Sequence, residues 1–237
     1  MDRILCLDAG NSRLKCGLHD GKRWRMQGAL NYDAFDDLVA ELPEPPTRIV
    51  ACNVAGDVIR LRIEALAAGL GRPLDWLASS AAACGVNNAY DNPGQLGADR
   101  WAALIGAHAL HPGAAIVVMA GTATTIDALD GTGRFRGGLI LPGLALMRTA
   151  LARNTADLPH ATGHYRSLPT NTDDAIVSGA IHATLGAIER MRATLGKDTL
   201  CLLSGGAAGE LAPHLELPQQ QIDNLVLEGL AHFSRNA

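Results

Sequence analysis

Hydrophobic residues in this chain come in short runs that stop at polar, glycine-bearing turns. Residues 4–7 are continuously apolar and break at Asp8-Ala9-Gly10-Asn11, after which Leu14, Cys16 and Leu18 alternate with Lys15, Gly17 and His19. An apolar run, a polar turn and a period-two return predict a strand, a tight turn and an antiparallel strand. The theme recurs half a chain later. Residues 114–119 are apolar, Gly121-Thr122-Ala123-Thr124-Thr125 makes the break, and 126–129 return. Two such units suggest a duplicated domain, although the side chains of the halves have little in common.

The remaining pattern alternates helix and strand. A helical stretch around 32–42 ends at Pro43, Pro45 and Pro46, and 48–52 reads as a buried strand. Val58, Ile59, Leu61, Ile63, Leu66 and Leu70 follow the 3.6-residue period of a helix over 58–70. Residues 90–99 are rich in Asn, Gly and Pro and predict a loop, with Asp99 at the start of a helix over 100–110. Residues 137–143 form a glycine-and-proline segment before a helix beginning at 144–151. A long helix over 173–195 is expected to bury Ile176, Ala180, Ala183, Ala187 and Met191. Residues 200–203 then form a strand running into Ser204-Gly205-Gly206, and 225–233 a last helix. The class is α/β, with domains expected at 1–112 and 113–237.

Composition narrows the partners. The 237 residues are 48% hydrophobic, enough to bury sizeable cores. A net charge of −4 argues against a nucleic-acid or anionic-membrane surface and favours a small molecule. No stretch approaches the roughly 18 apolar residues of a membrane helix. The initial apolar run is too short for a signal peptide, so a cytoplasmic location is expected. Cys6, Cys16, Cys52, Cys84 and Cys201 stand singly, without metal-ligand spacing, and read as small buried thiols in a reducing compartment.

Three turns carry candidate chemistry. In the first, Gly10 allows backbone N–H groups to point at a phosphate, Asn11 and Ser12 add donors, Lys15 adds charge, and Asp8 suits a cation held through water. Thr122 in the second turn offers a further hydroxyl and amide grip. Gly205 and Gly206 permit close backbone approach to a flat ligand. Each turn by itself equally fits an ordinary hairpin or strand–helix connection. Their order, with spacings of about 110 and 80 residues, fits one nucleotide clasped between two related domains.

That order resembles the actin/hexokinase/Hsp70 superfamily. Within it, Asp8-Ala9-Gly10-Asn11-Ser12 together with Tyr90-Asp91-Asn92-Pro93-Gly94-Gln95-Leu96-Gly97-Ala98-Asp99-Arg100-Trp101 resembles the type III pantothenate kinases. Thr155-Ala156-Asp157-Leu158-Pro159 and Asn171-Thr172-Asp173-Asp174 match as well, so the resemblance covers nearly the whole chain. It implies two ribonuclease-H-like domains with a nucleotide cleft, and ATP-dependent phosphorylation of pantothenate in coenzyme A biosynthesis.

By the same resemblance Asp99 is the catalytic base. Tyr90, Gly97, Ala98, Asp99 and Arg100 form the pantothenate pocket, and Thr172 reaches the substrate of a second subunit in a homodimer. ATP falls to Asp8, Ala9, Gly10, Asn11, Ser12, Arg13, Leu14, Lys15, Thr122, Gly205 and Gly206, with Mg2+ near Asp8. A monovalent cation, K+ or NH4+, is also implied, but its expected aspartate is Met119 here, and a thioether is a poor ligand for a hard cation. Two other readings remain on the sequence alone: a kinase for another small hydroxylated substrate, and a non-catalytic nucleotide-binding accessory protein.

Overall fold

The computed structural model describes residues 2–216 and 218–236. The chain opens with β1 (Ile4–Ala9), β2 (Leu14–His19) and β3 (Trp24–Leu30), then α1 (Leu38–Glu41), β4 (Arg48–Asn53), α2 (Asp57–Leu70) and β5 (Leu74–Trp76). These strands form a sheet in the order β3-β2-β1-β4-β5. Two short strands, β6 (Ala82–Ala83) and β7 (Val86–Asn88), precede α3 (Ala98–Leu110).

The second series is β8 (Ala115–Ala120), β9 (Ala123–Leu129), β10 (Arg134–Pro142), α4 (Leu144–Asn154), α5 (Thr172–Arg192), β11 (Leu200–Ser204), α6 (Ala208–Leu211), β12 (Gln219–Gln221) and α7 (Leu225–Asn236). Its strands follow the order β12-β11-β8-β9-β10, which read backwards repeats that of the first sheet. β1 and β8 play the same part: each pairs antiparallel with the next strand and parallel with a strand reached through helices. The fold is a duplication.

Residue contacts divide the chain into two compact units, Met1–Pro112 with Gly133–Phe135 and Asn224–Ala237, and Gly113–Thr132 with Arg136–Asp223. A single crossing at 112/113 does not describe this division, because the last helix and the start of β10 group with the first unit. At that start Arg134 and Phe135 pair with Asn87 and Asn88 of β7.

Alternation along β1 sets up the first unit. Leu5, Leu7 and Ala9 pack against Ile59, Ile63 and Ala67 of α2. Ile4, Cys6 and Asp8 therefore face the other side of the sheet, where α3 and α7 lie. Those two helices cross very closely. A Cβ on Gly229 would collide with the Ala102 carbonyl, and one on Gly106 would stand 2.5 Å from the Leu225 carbonyl. This crossing fixes α3, whose first turn carries Asp99.

In the second unit Ile116, Val118 and Ala120 pack with Ile176, Val177, Ala180, Ile181 and Leu185 of α5. The buried stripe of α5 runs through Ile176, Ala180, Ile181, Thr184, Leu185 and Ile188; Ala187 and Met191 pack at its margin, and of the expected face Ala183 alone is exposed. The 32–42 stretch is a 3-10 turn, Tyr32–Asp37, leading into α1. Residues 137–142, expected as a loop, lie within β10 despite two glycines.

Candidate active site

Three strands bring together Asp8, Lys15 and Cys52. Asp8 pairs in register with Lys15 across the hairpin and with Cys52 on parallel β4, so all three side chains leave the same face of the sheet. The Lys15 ammonium lies 3.6 Å from Asp8 Oδ2, and the Cys52 thiol donates to Asp8 Oδ1 at 3.6 Å. Asp8 is only 4% exposed. Burial pushes its carboxyl above the usual range and Asp99's negative charge adds to this, while Lys15 and the thiol act in the opposite direction. Burial and the same two carboxylates hold the Cys52 thiol far up, so it stays a protonated donor.

The turn between β1 and β2 is tied down from outside. Tyr32 donates to the Gly10 carbonyl at 2.5 Å, and burial with Asp8's charge lifts its phenol to about 12. Asn11, Ser12 and Arg13 are exposed at the tip. Ala9 and Leu14 are fully buried, which leaves only their backbone to meet a ligand.

Asp99 stands half-buried in the first turn of α3. Its Oδ1 accepts the backbone N–H of Arg100 at 2.8 Å and crowds Gly97 so closely that a Cβ there would lie 2.6 Å away. Arg100, 5% exposed, donates to the Tyr90 hydroxyl at 2.9 Å. Its guanidinium carbon lies 5.7 Å from the Tyr90 ring centre and 5.9 Å from that of Phe135. The loop before α3 is held by Asn88, which donates to the Ser80 and Pro93 carbonyls and accepts from Tyr90 N–H. The first unit thus assembles Asp8, Lys15, Tyr90, Asp99 and Arg100.

The other expected residues lie in the second unit. Thr122 sits in the exposed β8–β9 turn, where Gly143 N–H donates to its carbonyl at 2.9 Å. Gly205 has φ +103° because a Cβ would collide with the Ala120 carbonyl. Gly206 is exposed beside it. Thr172 is the exposed first residue of α5, capped by Asn171, whose side chain accepts from Asp174 N–H at 2.9 Å.

Reading the sequence missed Cys52, Tyr32 and Phe135. Cys52 was taken for inert filling, and only its register with Asp8 reveals it. Phe135 had no local signal, because it comes from β10 while its partners precede α3.

The residues can be tested against the ions a phosphoryl-transfer site uses. Asp8 and Asp99 act on each other electrostatically, while Lys15 neutralises part of the Asp8 charge as its ion-pair partner. No group of three ligating side chains exists among the described residues. Mg2+ keeps waters and phosphate oxygens and needs only one or two carboxylates, and Asp8 and Asp99 are two that act on each other. At Met119 the neighbours in register are Thr125 and Ser204, hydroxyls around a thioether, so the position does not fit a carboxylate-held monovalent ion.

A profile described as type III pantothenate kinase matches residues 4–194. Two proteins described as type III pantothenate kinase, from Aromatoleum aromaticum and Dechloromonas aromatica, are 53% and 48% identical over 98% of this chain and 98% of each relative. Among solved structures, a protein from Campylobacter jejuni assigned to the Baf family of transcriptional activators superposes with TM-score 0.66 at 21% identity, covering 98% of this chain and 97% of its own. A protein from Sinorhizobium meliloti assigned as a 2-dehydro-3-deoxygalactonokinase gives 0.63 at 17% identity over 98% of both chains. A glucokinase from an Antarctic psychrotroph gives 0.53 at 12% over 100% of both. The fold is the two-domain actin/hexokinase type, and the chain belongs to the type III pantothenate kinase family.

Proposed function

We propose that this protein transfers the γ-phosphoryl group of ATP to the terminal hydroxyl of pantothenate, forming 4′-phosphopantothenate and opening coenzyme A biosynthesis. The observation that carries the reading is the fold of 90–101. It presents Asp99 half-buried at a helix start, beside an arginine already oriented by Tyr90 and Phe135.

Such a transfer needs an aligned hydroxyl, a proton acceptor and neutralised phosphate charge, with little covalent chemistry from the protein. Asp99 Oδ1 is occupied by the Arg100 N–H, so Oδ2 takes the hydroxyl proton as the oxygen attacks the γ-phosphorus and the bond to the β–γ bridging oxygen breaks, releasing ADP. Arg100 pairs with the substrate carboxylate, its fork already pointed by the Tyr90 hydroxyl. Tyr90 and the backbone of Gly97 and Ala98 line the same pocket.

Backbone N–H groups of 9–14 with the side chains of Asn11 and Ser12 bind phosphate oxygens. Lys15 adds positive charge, and Thr122 with Gly205 and Gly206 supplies the second unit's nucleotide contacts. Asp8 holds Mg2+ through water, and the ion, when bound, neutralises phosphate charge. The monovalent-ion role finds no carboxylate at Met119, so K+ or NH4+ activation, where present, rests on other oxygens.

The protein acts as a homodimer in this reading. Thr172 lines an apolar groove of about 950 Å³ between α4 and α5, together with Leu146, Met147, Leu151 and Ile176. Leu146 and Leu151 remain substantially exposed in one copy, as expected of a surface a second copy covers. Among the described residues no helix is long and apolar enough to cross a membrane.

Purified protein given ATP, Mg2+ and pantothenate should yield 4′-phosphopantothenate in a coupled ADP assay, run with K+, NH4+ and Na+ in parallel. Absence of turnover under every cation would overturn the proposal.

A further inference from the structure

The Asp8 carboxylate is bracketed by two partners of unequal character. Lys15 reaches Oδ2 with a long side chain that keeps part of its surface in solvent. Cys52 reaches Oδ1 from β4, is 1% exposed, and is clamped by the parallel ladder that pairs Ala51, Cys52 and Asn53 with Leu7, Asp8 and Ala9. One partner can leave and the other cannot. A lysine drawn toward phosphate would release Oδ2, and Asp8 would then keep its orientation only through the Cys52 thiol.

The duplicated fold supplies a comparison. The last register pairs, Ala9 with Leu14 and Ala120 with Thr124, align the hairpins, so Met119 stands where Asp8 does, and Ser204 where Cys52 does. There the Ser204 hydroxyl donates to the Asp223 carbonyl at 3.5 Å, off the central strand, whereas the Cys52 thiol donates to the central-strand carboxylate.

We propose that Cys52 is a positioning residue: its thiol holds Asp8 Oδ1 so that the carboxylate keeps the geometry for metal-bound ATP when Lys15 turns to the phosphates. This rests on the assignment of Asp8 to the metal–nucleotide site. Cys52 acts through Asp8 and touches no reacting atom.

The test compares wild type, Cys52→Ala, Cys52→Ser, Asp8→Asn and the Cys52→Ala/Asp8→Asn double variant. Steady-state kinetics are measured against Mg·ATP at saturating pantothenate, and thermal unfolding is followed for each. Loss of one hydrogen bond to a charged acceptor should raise the Cys52→Ala KM for Mg·ATP by about fivefold to tenfold, with kcat changed less than about threefold. Cys52→Ser, which keeps a donor, should restore KM to within about twofold, and the double variant should match Asp8→Asn alone.

If Asp8→Asn is impaired but Cys52→Ala matches wild type, or the two effects multiply, or serine fails to rescue, the positioning role is overturned while the metal-site assignment stands. If Asp8→Asn leaves the Mg·ATP dependence unchanged, both fall. Should Cys52→Ala not fold, Cys52→Val fills the space without a donor and must show the same rise in KM. A lowered melting temperature without that rise marks a packing role only and overturns the proposal.

Discussion

In the first half the central strand carries Asp8 one residue before its end, flanked in register by Lys15 and Cys52; in the second Met119 holds that place, flanked by Thr125 and Ser204. The backbones repeat strand for strand, yet one half pairs a buried carboxylate with an ammonium and the other places a half-buried thioether between two hydroxyl residues. Burying a carboxylate is costly unless it is paired, and Asp8 is paired on both oxygens. A duplicated scaffold thus supplies two equivalent places, and the side chains at one register decide which becomes ionic. The carboxylates and the arginine of the candidate site gather in the first unit.

The sharpest way to break this asymmetry is to remove the proposed base. Asp99→Asn keeps the shape and the acceptor for Arg100 N–H but cannot take a proton, so kcat should fall about 10²–10⁴-fold. Nucleotide affinity, measured by calorimetry, should change little. A variant with wild-type turnover would place the base elsewhere.

Next come the groups that orient the acceptor. Arg100→Lys loses the planar fork, the Tyr90 hydrogen bond and the guanidinium's contacts with the Tyr90 and Phe135 rings. Its KM for pantothenate should rise roughly 10–100-fold, the scale of a lost charge-assisted hydrogen bond. Tyr90→Phe keeps the ring and should cost less, about 3–10-fold. Equal effects from the two would mean that Tyr90 does more than hold Arg100.

The duplication also differs after the third strand. In the first unit Val54 N–H donates to the Ala9 carbonyl, whereas in the second Ala207 donates to Ala120, so the return from Ser204 takes one residue more than that from Cys52. Gly205 absorbs the extra residue at φ +103°. Gly205→Ala should destabilise the protein by about 1–3 kcal/mol, the cost of strained backbone at one residue. At about 2–4 °C per kcal/mol the melting temperature falls by several degrees. An unchanged melting point would show that the turn can relax.

Elements buried on both faces were legible in the sequence because they are continuously apolar: residues 4–7, 48–52, 115–118 and 200–203 each gave a strand. Edge strands were not. Gln219–Gln221 is wholly polar and exists as a strand because it pairs with β11. Nor was β10, an inner strand between β9 and β7, because Gly137 and Gly138 give its middle the look of a glycine-and-proline connection. The site divides in the same way. Asp8, Tyr90, Asp99 and Arg100 sit in recognisable local strings, whereas Cys52 and Phe135 gain meaning only from register partners distant along the chain.

The finest contrast lies at the far end of the hairpins, where His19 in the first half occupies the place of Leu129 in the second. Both are buried. His19 Nδ1 accepts the Gly21 N–H at 3.0 Å, which requires the neutral ring, and Trp24 packs edge-on at 4.8 Å. Burial lowers the pKa from 6.5, Arg235 lowers it further, and Glu228 and Asp20 oppose. The unfolded chain therefore binds this proton at a higher pH than the folded one. Stability from His19 is complete above about pH 6.5 and is lost as pH falls toward the lower folded-state value. His19→Asn retains an acceptor but does not titrate, so its urea midpoint should vary less between about pH 8 and 5 than that of wild type. Some slope should persist from His232, whose pKa burial also lowers. If the slope is unchanged, the proton is taken elsewhere, and His19 and Leu129 are interchangeable fillers of one duplicated position.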